Sequence, residues 1–140
     1  MDIIFGTHNL YKFPEMLYKK FESDKKVFDV WNIDGEIFEG LPIKRDGDKS
    51  ASVTIMNGCN NFCAYCIVPY TRGRERSRAP EDILKEISEL AKEGYTEVML
   101  LGQNVNSYNG GENYGFANLL RDIDKIEGIN IVRFMSPHPK

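Results

Sequence analysis

Apolar and polar positions along this chain keep two different rhythms, and the rhythm changes wherever Gly, Pro or Asn cluster. Residues 2–6, "DIIFG", are a short apolar run that reads as a strand. The following "THNLYKFPEMLYKKFES" returns apolar side chains at Phe13, Met16, Leu17 and Phe21, the spacing of one helix face, with Pro14 acceptable in a first turn. From Val27 the pattern weakens. "VFDVWNIDGEIF" predicts an extended segment, and "EGLPIKRDGDKS" reads as a linker because Gly, Pro and Asp interrupt any period. A domain boundary is expected near residue 50.

Beyond that point the beat is steadier. "SVTIMNG" predicts a buried strand closed by Gly58, since Val53, Ile55 and Met56 form a compact apolar run. "APEDILKEISELAKEG" predicts the clearest helix: Pro80 opens it, Glu81 and Asp82 complement its dipole, Ile83, Leu84, Ile87, Leu90 and Ala91 share one face, and Gly94 stops it. "TEVMLLG" is an apolar run of the kind buried in a parallel sheet, followed by a Gly- and Asn-rich loop. "FANLLRDIDKIEG" predicts a helix through Phe116, Leu119, Leu120 and Ile123 that Gly128 ends, and "INIVRFM" a third strand before "SPHPK". Alternating strands and helices imply crossovers and a parallel α/β sheet, doubly wound or curved into a barrel. Ligands gather at strand C-termini in both, so the polar loops at 57–78, 102–115 and 136–139 are expected to form one site.

Composition narrows the class. With 140 residues, 41% of them hydrophobic, the chain can bury the core of one domain and part of another. No apolar run approaches the roughly 18 residues of a membrane span, and no export signal opens the chain, so a soluble, cytoplasmic protein is expected. A net charge of −3 does not mark a nucleic-acid-binding domain as a whole. The local exception is "TRGRERSR", which gathers Arg72, Arg74, Arg76 and Arg78 with only Glu75 opposing them. Two readings are open for it: a solvated loop, or an anion site in which alternate spacing puts the arginines on one side of an extended segment.

All three cysteines, Cys59, Cys63 and Cys66, lie in "CNNFCAYC" at the spacing C-x3-C-x2-C. An odd number in a reducing compartment argues for a metal or a reactive thiol rather than disulfides. A structural zinc site wants four closed ligands, usually as separated pairs, so His138 would have to complete one here. Electron-transfer 4Fe-4S proteins use four cysteines. Three thiolates on a cubane would leave one iron open to a small ligand.

This motif, with Tyr65 ahead of the last cysteine and a strand in front of the first, resembles the radical S-adenosylmethionine (SAM) enzymes. The resemblance implies that Cys59, Cys63 and Cys66 hold a 4Fe-4S cluster whose open iron takes the amino and carboxylate groups of SAM. An electron from a reducing donor then breaks a carbon–sulfur bond of SAM to give a 5'-deoxyadenosyl radical. It also implies Tyr65 near the adenine, against the alternative of plain core packing, and Gly102, Gln103 and Asn104 of "LLGQN" by the SAM amino group, against the alternative of a turn that merely ends a strand. Arg72 and His138 are candidates for the SAM carboxylate or substrate, each with a solvent-facing loop as the alternative. His8 and Trp31 are assigned to structure, and no catalytic side chain stands out.

More narrowly, "MNGCNNFCAYCIVPYTRGRERSR", "LLGQNVNSY", "RFMSPHP", "FGTHNLYKFPE" and "DGEIFEGLPIKR" resemble the MiaB-type tRNA methylthiotransferases. That implies the first half of a partial parallel βα barrel of radical SAM type over residues 51–140, preceded over 1–50 by the tail of a small α/β domain. The implied partner is tRNA, and the implied reaction adds a methylthio group at C2 of N6-isopentenyladenosine beside the anticodon. Within the superfamily the alternatives are threonylcarbamoyl-adenosine or a ribosomal-protein aspartate as substrate. From another class the rival is a zinc-stabilised RNA-binding module without catalysis. Family members carry three further cysteines for an auxiliary 4Fe-4S cluster, and residues 1–58 contain none. The chain is therefore expected to be an internal piece of a longer, monomeric protein, without turnover alone.

Overall fold

The computed structural model describes residues 2–7, 9–23, 25–30, 45 and 49–139. His8, Trp31 and most of the expected linker lie outside the described residues. Strand β1 (Ile3–Phe5) leads through a 3-10 turn (Leu10–Lys12) into helix α1 (Phe13–Glu22), and β2 (Val27–Asp29) then pairs in parallel with β1, Ile3 opposite Val27. Pro14 sits in the first turn of α1, where its missing N–H costs nothing. Met16 is buried under the helix, but Phe21 remains 80% exposed, so the two strands cover only part of the apolar face that the spacing marks.

From residue 50 the chain runs β3 (Ser50–Thr54), β4 (Met56–Asn57), α2 (Val68–Thr71), β5 (Arg76–Ser77), α3 (Pro80–Lys92), β6 (Glu97–Leu101), a 3-10 turn (Val105–Ser107), α4 (Phe116–Ile123) and β7 (Ile131–Phe134). The mixed α/β class is as expected. Strands β3, β6 and β7 form a parallel sheet in that order, with Ala51 opposite Val98 and Val53 opposite Leu100. Because side chains alternate faces along a strand, these four share one face of the sheet. Ile83, Ile87 and Leu90 of α3 and Leu119 and Ile123 of α4 close over it, and all nine side chains are buried. Removing each Ile or Leu from water contributes about 1.5–3 kcal/mol, which makes this layer the main support of the strand ends beyond it.

Helix α3 follows its sequence signals closely. Ala79 is extended, Pro80 opens the helix with Glu81 and Asp82 in the first turn, and Gly94 takes φ +94° just past the end. Two other elements depart from expectation. The strand expected over 52–58 breaks at Ile55, whose N–H donates to the Leu101 carbonyl and whose carbonyl accepts from Arg78 N–H, each at 2.9 Å. Met56 and Asn57 then pair antiparallel with Arg76 and Ser77 instead of continuing along β6. Met56 is fully buried against Gly102, where a Cβ would collide with its side chain, so packing draws the chain off the sheet. Helix α4 ends at Ile123 rather than running to Gly128. Ile126 N–H bonds back to the Ile123 carbonyl at 3.0 Å, which returns Ile126 to the core and leaves Gly128 at φ +98° in the turn that follows.

Candidate metal centre

Three loops meet beyond the C-terminal ends of β3, β6 and β7. The cysteine loop begins at Gly58, whose φ of +78° suits glycine, and any Cβ there would strike the Arg74 carbonyl oxygen. Its N–H donates to Gln103 Oε1 at 2.6 Å, joining the cysteine loop to the loop after β6. The loop after β7 is tied to the same place: Val105 N–H donates to the Ser136 carbonyl at 3.4 Å, and Asn106 Nδ2 donates to the His138 carbonyl at 3.0 Å. His138 Nε2 stands 3.9 Å from Cys63 Sγ. The convergence expected from the strand order is therefore present.

Cys59 is buried, Cys63 and Cys66 are half-buried, and all three thiols are free. Cys59 N–H is anchored on the Gly73 carbonyl at 3.2 Å, and Cys66 N–H closes a turn on the Cys63 carbonyl at 2.9 Å. Phe62, just before Cys63, takes the left-handed φ of +46° and receives the Arg74 guanidinium 4.6 Å from its ring centre, while Tyr70 meets it edge-on. The sulfurs share a loop but not a common centre: among the described residues no three Cys, His, Asp or Glu side chains are gathered as a metal-binding group.

Tyr65 is 94% exposed and lies outside the core of the described residues. Gly102 and Gln103 are half-buried, and Asn104 is buried, with Nδ2 3.5 Å from Glu75 Oε1. The four clustered arginines do not line one side of an extended segment. Residues 68–71 are helical, Arg72 and Arg74 are exposed, and Arg76 turns its Nη2 onto the Arg72 carbonyl at 2.9 Å. Arg78 instead binds the Thr54 carbonyl at 2.6 Å and Glu86 at 2.8 Å, sharing that carboxylate with Arg45. Only Arg72 and Arg74 stay exposed at the site.

Sequence reasoning noted Glu75 only as a charge opposing the arginines and passed over Asn60. Glu75 Oε1 accepts from Asn60 N–H and Asn60 Oδ1 accepts from Glu75 N–H, both at 3.2 Å, so the pair staples the cysteine loop to the segment entering β5. A lone carboxylate kept inside an arginine run was the available signal.

Residues 53–138 match the Radical SAM superfamily. The chain belongs to that superfamily. Radical SAM membership implies SAM and a 4Fe-4S cluster as cofactors. Across its whole length the chain is also similar to proteins named tRNA-2-methylthio-N(6)-dimethylallyladenosine synthase: 60% identical to that of Clostridioides difficile, 56% to that of Acetivibrio thermocellus and 58% to that of Carboxydothermus hydrogenoformans. It spans 30%, 30% and 32% of those proteins, about a third of each. Two features of this radical SAM chain suit the implied cofactors. Three free thiols on one short loop are the donors a thiolate-ligated cluster takes. Asn104 Oδ1, on the neighbouring loop, is buried with no hydrogen-bond partner among the described residues, an acceptor suited to an ammonium group.

Proposed function

We propose that this chain is the cluster-bearing region of a radical SAM tRNA methylthiotransferase that adds a methylthio group at C2 of N6-isopentenyladenosine next to the anticodon. The observation that carries the reading is the 56–60% identity to synthases of that name over the whole chain. Residues 1–50 are read as the C-terminal part of the N-terminal domain and its linker, and residues 51–140 as the first half of a partial parallel βα barrel that further strands would extend past β7. Cys59, Cys63 and Cys66 are assigned as ligands of a 4Fe-4S cluster with one open iron. When bound, the cluster and SAM supply one-electron cleavage of a carbon–sulfur bond.

The chain's own residues bind and orient. Asn104 would offer its orphan Oδ1 to the SAM ammonium, Gly102, in the same loop, leaves Met56 the room that a Cβ would take, and Gln103 holds the cysteine loop through Gly58. Tyr65, exposed between two ligands, presents a ring to the adenine. Arg72, exposed at the end of α2, is assigned to a phosphate of the tRNA. The auxiliary cluster belongs to the full-length protein, as do turnover and the electron donor.

The test is expression of the complete reading frame in cells lacking the methylthio modification, with tRNA nucleosides read by mass spectrometry. Methylthiolated isopentenyladenosine is the expected product. Methylthiolated threonylcarbamoyl-adenosine or ribosomal aspartate in its place would reassign the substrate. Purified protein holding zinc and no iron would overturn the cluster.

A further inference from the structure

His138 stands beside the Cys63 thiol in a backbone held from several sides. Pro137 and Pro139 restrict the backbone on both sides of it. Ser136, two residues earlier, holds a φ of +61°, a region costly for a side chain with a Cβ and kept only where the surroundings impose it. Two hydrogen bonds from the loop after β6 clamp this segment, one to the Ser136 carbonyl and one to the His138 carbonyl. The outcome is a half-buried imidazole with Nε2 3.9 Å from Cys63 Sγ, within reach of an N–H donor to the larger sulfur acceptor. The two residues are 75 positions apart in sequence, so a tertiary contact alone joins them.

We propose that His138 is a positioning residue that donates its Nε2–H to the Cys63 sulfur once that sulfur is a cluster-bound thiolate, and thereby raises the cluster's reduction potential. The inference rests on the cluster assignment made above. The physical reason is charge: reduction adds a negative charge that spreads onto the thiolate sulfurs, and a donor aimed at one of them stabilises the reduced state more than the oxidised state. Hydrogen bonds to sulfur are among the levers by which a protein sets the potential of such clusters. The loop after β7 thus reaches back to tune the centre that the loop after β3 carries. Asn106 fixes the backbone of the donor rather than the sulfur itself.

The experiment is a redox titration of the anaerobically reconstituted protein, followed by the electron paramagnetic resonance signal of the reduced cluster, with iron counted in every sample. His138→Leu removes the donor, and His138→Gln keeps an N–H on a side chain of similar reach. At the potential where the unsubstituted protein is half reduced, His138→Leu is expected to lower the reduced-to-oxidised ratio about tenfold, equivalent to about 59 mV for one electron. His138→Gln is expected to recover most of that ratio. A full iron complement with an unchanged midpoint in His138→Leu would overturn the proposal while leaving the cluster assignment standing. Loss of iron in both variants would make His138 a ligand and overturn it too. Failure of the unsubstituted protein to form any cluster would sink the assignment of Cys59, Cys63 and Cys66 first.

Discussion

Gly58 N–H and Gln103 Oε1, 2.6 Å apart, join the loop that carries the cysteines to the loop that carries Asn104. Gln103→Leu keeps the bulk but leaves that partly buried amide without its acceptor, so a loss of about 1–3 kcal/mol is expected in urea denaturation, together with weaker iron uptake. An unchanged midpoint would show that water replaces the side chain at no cost.

Two glycines with positive φ separate strain from collision. Gly58 and Gly94 have φ +78° and +94°, yet a Cβ on Gly94 meets nothing within 4 Å whereas one on Gly58 strikes the Arg74 carbonyl. Gly94→Ala is expected to cost about 1 kcal/mol from backbone strain alone. Gly58→Ala should cost clearly more and displace the cysteine loop, which thermal melts of the two variants side by side will resolve. Equal melting temperatures would contradict the collision.

Cys63→Ala removes one of three assigned sulfur donors and should abolish stable cluster assembly, leaving less than a quarter of the unsubstituted iron content after anaerobic reconstitution. The fold should survive, because Cys63 is half-buried and lies outside the core layer of α3, α4 and the sheet. Full iron retention would remove Cys63 from the ligand set.

Alkaline stability is expected to depend on Tyr108. Burial, with a smaller push from the Glu81 charge, raises its phenol from 10.0 to about 12, and the hydroxyl donates to the Arg78 carbonyl at 2.9 Å. The folded state therefore favours the neutral phenol. Its contribution is whole below pH about 10, where the unfolded chain's phenol titrates, and is lost as the pH rises through about 12. Tyr108→Phe should lose about 1 kcal/mol at neutral pH, where the carbonyl loses its donor, and show a shallower decline between pH 10 and 12. Denaturant midpoints across that range check both, and parallel pH profiles would count against the assignment.

Much of this organisation was legible in the chain. Helix α3 announces both ends because Pro80, the acidic first turn and Gly94 act on their own backbone within a few residues. The cysteine spacing put three thiols on one short loop, and the rhythm of strands and helices put three loops on one edge. Less legible were the fates of neighbouring arginines: identical side chains in one octapeptide divide into two at the surface, one turned onto a carbonyl and one bound to Glu86. Nothing local distinguishes them, since each position is decided by what packs behind it.

By itself the sequence determined the order of the main strands and helices and the three thiols of the cysteine loop, because helical period, turn chemistry and the thiol side chain are properties of short stretches. Tertiary structure alone decided that the chain leaves the main sheet at Ile55, that Glu75 faces Asn60, and that His138 comes to Cys63. Those neighbours are chosen when a buried layer fixes how far and in which direction each strand end projects, and that information is spread over residues far apart in the chain.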